Sequence, residues 1–494
     1  MTKPSFLSVT DLFCGAGGSS LGMHHASDDV EITLALNHWQ LAIESHNANF
    51  PNTAHDCVDV SATDPRRYRS TDVLWASPEC TNHSLAKGQK RKHQAQLELF
   101  GAILDDPASA RSRATMFDVP RFAEYHDYRV IIVENVVDVR HWRLYGAWLS
   151  AMDALGYDHK EVYFNSMFAH LHPAAVRTMH DFAPQSRDRI YIVFWKRGHP
   201  APDLEFRPLG RCDRCERDVE TVQAWKNGRR WGRYRQQYVY RCPACAREVV
   251  PYHFAAWNAI DWSRPAERIG DRKKPLKERT MERIRRGLVK YGNTWLAVDL
   301  AYGDSLTARP MLAALPTQTA TDSFGLVMPT PFLAVNYSPG YSKSVTEPTG
   351  AITASDHHSL VIPAPFLTSY YGTGGGAAVA EEPMDTLTGI DKHALVMPFY
   401  VGYANGDGPP HAVTEPLLTL HTENNAGLVF PTEPPAIEDC GFRMLAPEEV
   451  GRGMAFPDEY IVRGNGRERV KQYGNAVVPV VARMLMRRVL ATFS

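Results

Sequence analysis

Phe6-Leu7-Ser8-Val9-Thr10-Asp11-Leu12-Phe13 runs straight into Cys14-Gly15-Ala16-Gly17-Gly18-Ser19-Ser20-Leu21-Gly22-Met23, and this stretch decides the fold. Its first part has the apolar character of a buried strand. The second part is a glycine-rich turn opening a helix. Glycine lets a backbone pass close to a ligand, and a helix N-terminus offers unpaired N–H groups. Packing alone also produces such turns, so the surroundings must be weighed. Residues 30–36 form a second expected strand, ending at Asn37-His38-Trp39, with a helix over 40–49. Residues 72–76 and 128–133 are further apolar runs of strand length. This alternation predicts a doubly wound, mostly parallel α/β sheet. Such sheets bind ligands beyond the carboxyl ends of their strands. Cys14, Trp39, Cys80 and Glu134 all fall at such ends.

The chain of 494 residues is long enough for two or three domains, and 44% hydrophobic residues can fill a sizeable core. A net charge of −1 leaves no global field for nucleic acid or membrane, so any basic surface must be local. No apolar run approaches the roughly 18 residues of a membrane span. The N-terminus leads directly into the first strand, and no signal peptide is expected. Eight cysteines are too few for a secreted disulfide scaffold, which points to a reducing cytoplasm.

Six short segments then share one resemblance. Asp11-Leu12-Phe13-Cys14-Gly15-Ala16-Gly17-Gly18 resembles the cofactor-binding first motif of DNA cytosine-5 methyltransferases. Pro78-Glu79-Cys80 resembles that family's nucleophile loop, and Glu134-Asn135-Val136 its Glu-Asn-Val motif. Gln185-Ser186-Arg187-Asp188-Arg189 is similar to its Gln-x-Arg-x-Arg motif. Arg443-Met444-Leu445 with Phe456-Pro457, and Tyr473-Gly474-Asn475-Ala476-Val477-Val478-Pro479, are similar to the ninth and tenth. The six follow the family's order. The resemblance implies a Rossmann-like methyltransferase fold acting on double-stranded DNA.

The chemistry agrees. Carbon 5 of cytosine is a poor nucleophile until a thiolate adds at carbon 6. The resemblance assigns that thiolate to Cys80 and the hydrogen bond at ring N3 to Glu134. Arg187 and Arg189 would hold the base or orient these two, Arg189 the more directly. A base within a duplex must be flipped out to be reached. The implied cofactor is S-adenosylmethionine. Phe13, Gly15, Gly17 and Pro78 would shape its pocket, Trp39 stack on adenine, and Asp59 meet the adenine amino group. Asn475 and Val477 would close the site, with the C-terminal segment expected as a helix beside the first strand. Two positions depart from the family. His38 stands where an acidic residue grips the ribose, and Glu79 replaces the proline before the nucleophile. These departures keep open a transferase using a modified sulfonium donor; a separate alternative is a catalytically silent DNA-binding relative that works through its insert. A tRNA methyltransferase of the same fold is a third, disfavoured by the large insert.

That insert is expected over 196–436, between catalytic segments at 1–195 and 437–494. A basic loop precedes it, with Lys87, Lys90, Arg91, Lys92 and His93 between Ser84 and Tyr128, and a short helix expected at 97–108. Within the insert, Cys212-x-x-Cys215 and Cys242-x-x-Cys245 predict a four-thiolate structural Zn2+ ribbon at about 207–250. Its loop interleaves Arg229, Arg230, Arg233 and Arg235 with Trp231 and Tyr234, a composition suited to nucleic acid. Residues 264–290 hold eleven basic against four acidic residues, and 275–292 show the spacing of an amphipathic helix. Leu-Val-x-Pro recurs at Leu326, Leu360, Leu395 and Leu428, at intervals of 34, 35 and 33. Phe332, Phe366 and Phe399 open successive units, and Glu-Pro recurs at Glu347, Glu382 and Glu415. This predicts β-hairpin repeats over 310–431. The whole is expected to be a monomer; neither its DNA target nor its place in a restriction, phage or orphan setting is encoded in these motifs.

Overall fold

The computed structural model describes residues 6–79, 115–170, 181–254 and 446–493, together with shorter stretches between 256 and 444. It divides into two compact units, one of 1–253 with 454–494 and one of 254–453. These divisions of the chain, at 253/254 and 453/454, differ from the expected 195/196 and 436/437. The cysteine-paired segment packs with the first unit.

The first unit is built on a seven-stranded sheet. In chain order its elements are β1 (Leu7–Leu12), α1 (Gly18–His24), β2 (Val30–Asn37), α2 (Gln40–Asn49), β3 (Ala54–Cys57), β4 (Val73–Ala76), α3 (Asp118–His126), β5 (Val130–Asn135), α4 (Tyr145–Ala154), β6 (Tyr157–Asn165) and β7 (Asp188–Lys196). The strands lie in the order β3-β2-β1-β4-β5-β7-β6. Neighbours from β3 to β5 run parallel, while β7 runs antiparallel to both β5 and β6. The sheet is therefore doubly wound and mostly parallel, as expected. Winding reverses at β1 and β4. Right-handed crossovers then place the connecting helices on opposite faces and leave a crevice at that point.

The strand sequences explain their place. Val73, Leu74, Trp75 and Ala76 are fully buried, as are Ile131, Ile132 and Val133. Runs apolar on both faces are what a helix-covered parallel sheet requires. The chain end returns as α5 (Gly466–Asn475) and α6 (Pro479–Leu490). Asn465 and Glu468 form a reciprocal capping box on α5, and Pro479 occupies the first turn of α6. The expected position beside the first strand is refined: α6 packs on α1. A Cβ on Gly18 would sit 2.1 Å from the Val477 carbonyl oxygen, and one on Gly22 2.1 Å from that of Pro479.

In the second unit, Phe324–Met328 pairs antiparallel with Phe366–Ser369 and Gly441–Met444. His393–Val396 pairs with both Phe366–Ser369 and Gly441–Met444, so four strands close on themselves. Leu326, Leu395 and Phe366 of the repeat pattern lie on these strands. Leu360 and Phe332 lie on a second sheet, where Phe332–Val335 pairs with His358–Val361. Most of each segment that follows a Glu-Pro, most of the 275–292 helix, and the basic residues 87–93 with the 97–108 helix lie outside the described residues. Among the described residues no helix is long and apolar enough to cross a membrane.

The α1–α6 contact makes a prediction about stability. Gly22→Ala gains helix propensity but drives a methyl into backbone, and should destabilise by about 1–3 kcal/mol in urea unfolding. Gly146→Ala, on the exposed side of α4 with nothing within 4 Å, should instead stabilise by up to about 1 kcal/mol. Equal effects at the two positions would contradict the close packing.

Candidate active site

Three loops leave the carboxyl ends of adjacent strands and meet. After β1, Phe13 adopts a left-handed conformation at φ 61°, unusual for a side chain of its size. Gly15 and Gly17 follow at φ 55° and 95°. The two glycines do different jobs. A Cβ on Gly17 would stand 2.4 Å from Tyr460 Oη, so Gly17 serves packing. That hydroxyl donates to the Ala16 carbonyl. A Cβ on Gly15 would meet nothing within 4 Å. Gly15 is the glycine whose open side can admit a ligand.

After β4 comes Ser77-Pro78-Glu79, with Pro78 buried. Cys80 lies outside the described residues. After β5, Glu134 is 9% exposed and receives a hydrogen bond from Arg189 Nε at 2.9 Å. Arg189 is itself buried and also donates to the Asp188 carbonyl. Antiparallel pairing of β5 and β7 brings these two side chains together, since Glu134 lies opposite Tyr191. Asn135, fully buried, donates to the Pro78 carbonyl at 3.3 Å and accepts from the Val136 N–H. It ties the loop before Cys80 to the strand carrying Glu134. As a site residue it was missed in the sequence, where only its motif was noted. Arg187 points elsewhere, donating to the Gly474 and Ala476 carbonyls at 3.2 and 3.3 Å. It holds the C-terminal turn around exposed Asn475, while buried Val477 rests on Gly18.

Beyond β2, Asn37 Oδ1 accepts the Trp39 N–H at 2.9 Å and fixes the start of α2. Lys471 lies 4.4 Å over the half-exposed Trp39 ring. Asp59 is exposed and accepts from the Ser61 N–H. The two positions that depart from the family pattern face one another: His38 Nδ1 is 3.9 Å from Glu79 Oε1. An open glycine, an aromatic face and exposed acceptors along one strand edge fit an adenosyl group.

Beneath the glycine turn lies a buried polar chain the sequence did not reveal. Asp11 Oδ2 accepts from Ser19 and Ser20 hydroxyls at 2.6 and 2.7 Å. The Ser20 oxygen meets His46 Nε2 at 2.9 Å, and His46 Nδ1 meets His55 Nε2 at 2.8 Å. With Ser20 donating to Asp11, His46 must donate to Ser20 and accept from His55. Burial lifts the Asp11 carboxyl to about 7, against the pull of both serines. Burial likewise drops His46 to about 3, with His55 adding to the effect.

Away from these loops, the four paired cysteines converge. Cys212 and Cys245 sulfurs are 3.5 Å apart, Cys215 and Cys242 3.8 Å, and all four lie within 4.8 Å of one another. A tetrahedral zinc centre with bonds of about 2.3 Å spaces its sulfurs by about 3.8 Å. The residue after each knuckle, Glu216 and Ala246, is left-handed at φ 52° and 59°. The two halves thus share one backbone turn.

A family model described as C-5 cytosine-specific DNA methylase matches residues 7–209 and 402–491. The chain is 27% identical over 214 residues to Type II methyltransferase M.NlaX of Neisseria lactamica, covering 41% of this chain and 56% of that protein. It is 25% identical over 227 residues to Type II methyltransferase M1.ScrFI of Lactococcus lactis subsp. cremoris, covering 44% and 50%. The chain thus spans about half the length of the curated relatives it matches. Among solved structures, a mutant of Spodoptera frugiperda DNMT2 is similar at a TM-score of 0.46 and 12% identity, over 98% of this chain and 99% of that one.

The buried chain predicts opposite pH responses. His46 favours folding above 6.5 and loses that contribution as pH falls toward 3; Asp11 favours folding most below 3.8 and loses it as pH rises through 7. Between pH 7 and 5 the two offset one another. Asp11→Asn should lose about 2 kcal/mol of stability on that acidification and His46→Gln should gain about 2 kcal/mol. Parallel urea-unfolding slopes for the two variants would refute the pairing.

Proposed function

The chain belongs to the C-5 cytosine-specific DNA methylase family, and from that membership we propose that it methylates carbon 5 of a flipped cytosine in double-stranded DNA. The observation that supports this best is the seating of the Glu134–Arg189 pair beside the Pro78 turn, joined through Asn135. Cys80, two residues beyond Pro78 in the chain, is the proposed nucleophile. Its thiolate adds to carbon 6, forming a carbon–sulfur bond and making carbon 5 nucleophilic. Glu134 hydrogen-bonds at N3, where charge changes, and Arg189 holds Glu134 in place. After methyl transfer, water removes the carbon 5 proton and the thiolate leaves.

The proposed cofactor is S-adenosylmethionine, which when bound supplies an electrophilic methyl group. Phe13 and Gly15 would shape its pocket, Trp39 would stack on adenine, and Asp59 would meet the amino group. The contact of Glu79 with His38 favours this donor over a modified one. It returns a carboxylate to the side of the pocket where His38 replaces an acid. A single Zn2+ is proposed at Cys212, Cys215, Cys242 and Cys245. All four ligands are thiolates, so its part is structural. A reducing cytoplasm suits these thiols, and the six described cysteines are all free.

DNA containing 5-fluorocytosine should trap wild-type protein covalently and leave Cys80→Ser untrapped. Glu134→Gln should slow single-turnover methylation by roughly 10²- to 10⁴-fold. Absence of 5-methylcytosine in DNA from expressing cells would sink the reading. Glu79→Gln should raise KM for S-adenosylmethionine by about tenfold with little change in kcat. A modified donor is indicated instead if the wild type leaves a heavier adduct by mass spectrometry.

A further inference from the structure

The loop between the cysteine pairs returns to the strands that carry the catalytic pair. Arg233 Nη2 donates to Asp138 Oδ2 at 2.6 Å, and Asp138 is buried. The next residue, Tyr234, donates its backbone N–H to Asp188 Oδ1 at 3.0 Å. Asp138 lies on the turn that follows Glu134, and Asp188 immediately precedes Arg189. One corner of the loop therefore grips both backbone segments that bring Glu134 and Arg189 together. Aromatic packing supports the grip. Tyr234 and Tyr240 both stack edge-on to Phe168, with centroids 4.9 and 5.3 Å away. Trp225 packs on Tyr163 at 5.6 Å, and Gln223 donates to the Tyr163 carbonyl.

This corner is built from the metal side. Strand Tyr238–Arg241 leads directly into Cys242 and pairs antiparallel with Val222–Trp225. Gln237 accepts the Arg233 N–H on its side chain and donates its own N–H to the Arg233 carbonyl. The small core around the thiols consists of Cys212, Val219, Cys242 and Val249. Two-stranded hairpins with so little apolar interior are marginal without a further constraint, and a bound metal supplies folding free energy to such a ribbon.

We propose that metal at the four cysteines acts as a positioning element for methyl transfer, holding the Arg233–Tyr234 corner that keeps Glu134 and Arg189 in register. This rests on the metal and on the role of Glu134 proposed above. Arg233 and Tyr234 are positioning residues; they touch neither base nor cofactor.

The test uses the full chain. Elemental analysis should find one zinc per chain, released by p-hydroxymercuribenzoate and detected with 4-(2-pyridylazo)resorcinol. After release, amides of Asp188–Lys196 should exchange with deuterium at least about tenfold faster. Arg233→Ala, with zinc retained, should slow the single-turnover rate on the order of 10- to 100-fold, while DNA Kd stays within about twofold. Arg233→Lys should recover most of that rate. The proposal is overturned by absence of zinc, by unchanged exchange in that strand, or by an Arg233→Ala variant that binds DNA weakly yet reacts normally once bound. A wild type that carries zinc and shows the exchange response but methylates no DNA would instead overturn the proposed function.

Discussion

The last helix can lie against the first because two glycines remove the side chains that would keep them apart. Backbone oxygens of Val477 and Pro479 occupy the space where Cβ atoms of Gly18 and Gly22 would stand. Everything the chain end contributes to the crevice follows from that approach. Val477 and Ala476 are set beside the glycine turn, and Tyr460 reaches Ala16 from the same segment. Arg187 completes the closure through the Gly474 and Ala476 carbonyls. A buried guanidinium satisfying two carbonyls at a turn is a strong, directional restraint. The arginine pair of the Gln-x-Arg-x-Arg segment is thus divided between the C-terminal turn, held by Arg187, and the Glu134 carboxylate, held by Arg189.

The glycine turn also rests on polar groups. Asp11 lies under α1 and holds Ser19 and Ser20, and through Ser20 it connects to the two histidines of α2 and β3. Burial moves the carboxyl and the imidazole in opposite directions. Such a chain tolerates one arrangement of protons at a time. It fixes the turn that presents Gly15 without itself facing the crevice.

Much of this was legible in the chain. Runs of buried apolar residues, the glycine turn and the strand–helix alternation are local signals, and they forecast β1, β2, β4, β5 and α2 to within a residue or two. The knuckle spacing forecast the meeting of four thiols, because two such turns have one way to face each other. The repeat of Leu-Val-x-Pro forecast strands. What could not be read there is contact between residues remote in sequence. The division of labour between Gly15 and Gly17 depends on Tyr460, and the meeting of His38 with Glu79 depends on β4 lying beside β1. That α6 would settle on α1 rather than on the first strand turns on a fit between glycines and backbone oxygens.

The sequence by itself determined the fold class and nominated the residues proposed to carry chemistry, because side-chain periodicity and motif chemistry are properties of short segments. Tertiary structure alone decided which of those residues work together. Asn135 joins Pro78 to the Glu134 strand, Arg187 reaches the carbonyls of the C-terminal turn, and Arg233 with Tyr234 reaches Asp138 and Asp188. The physical reason is that hydrogen bonds and close packing act over a few ångströms, and only the sheet order and the register of β5 on β7 bring these groups within that range.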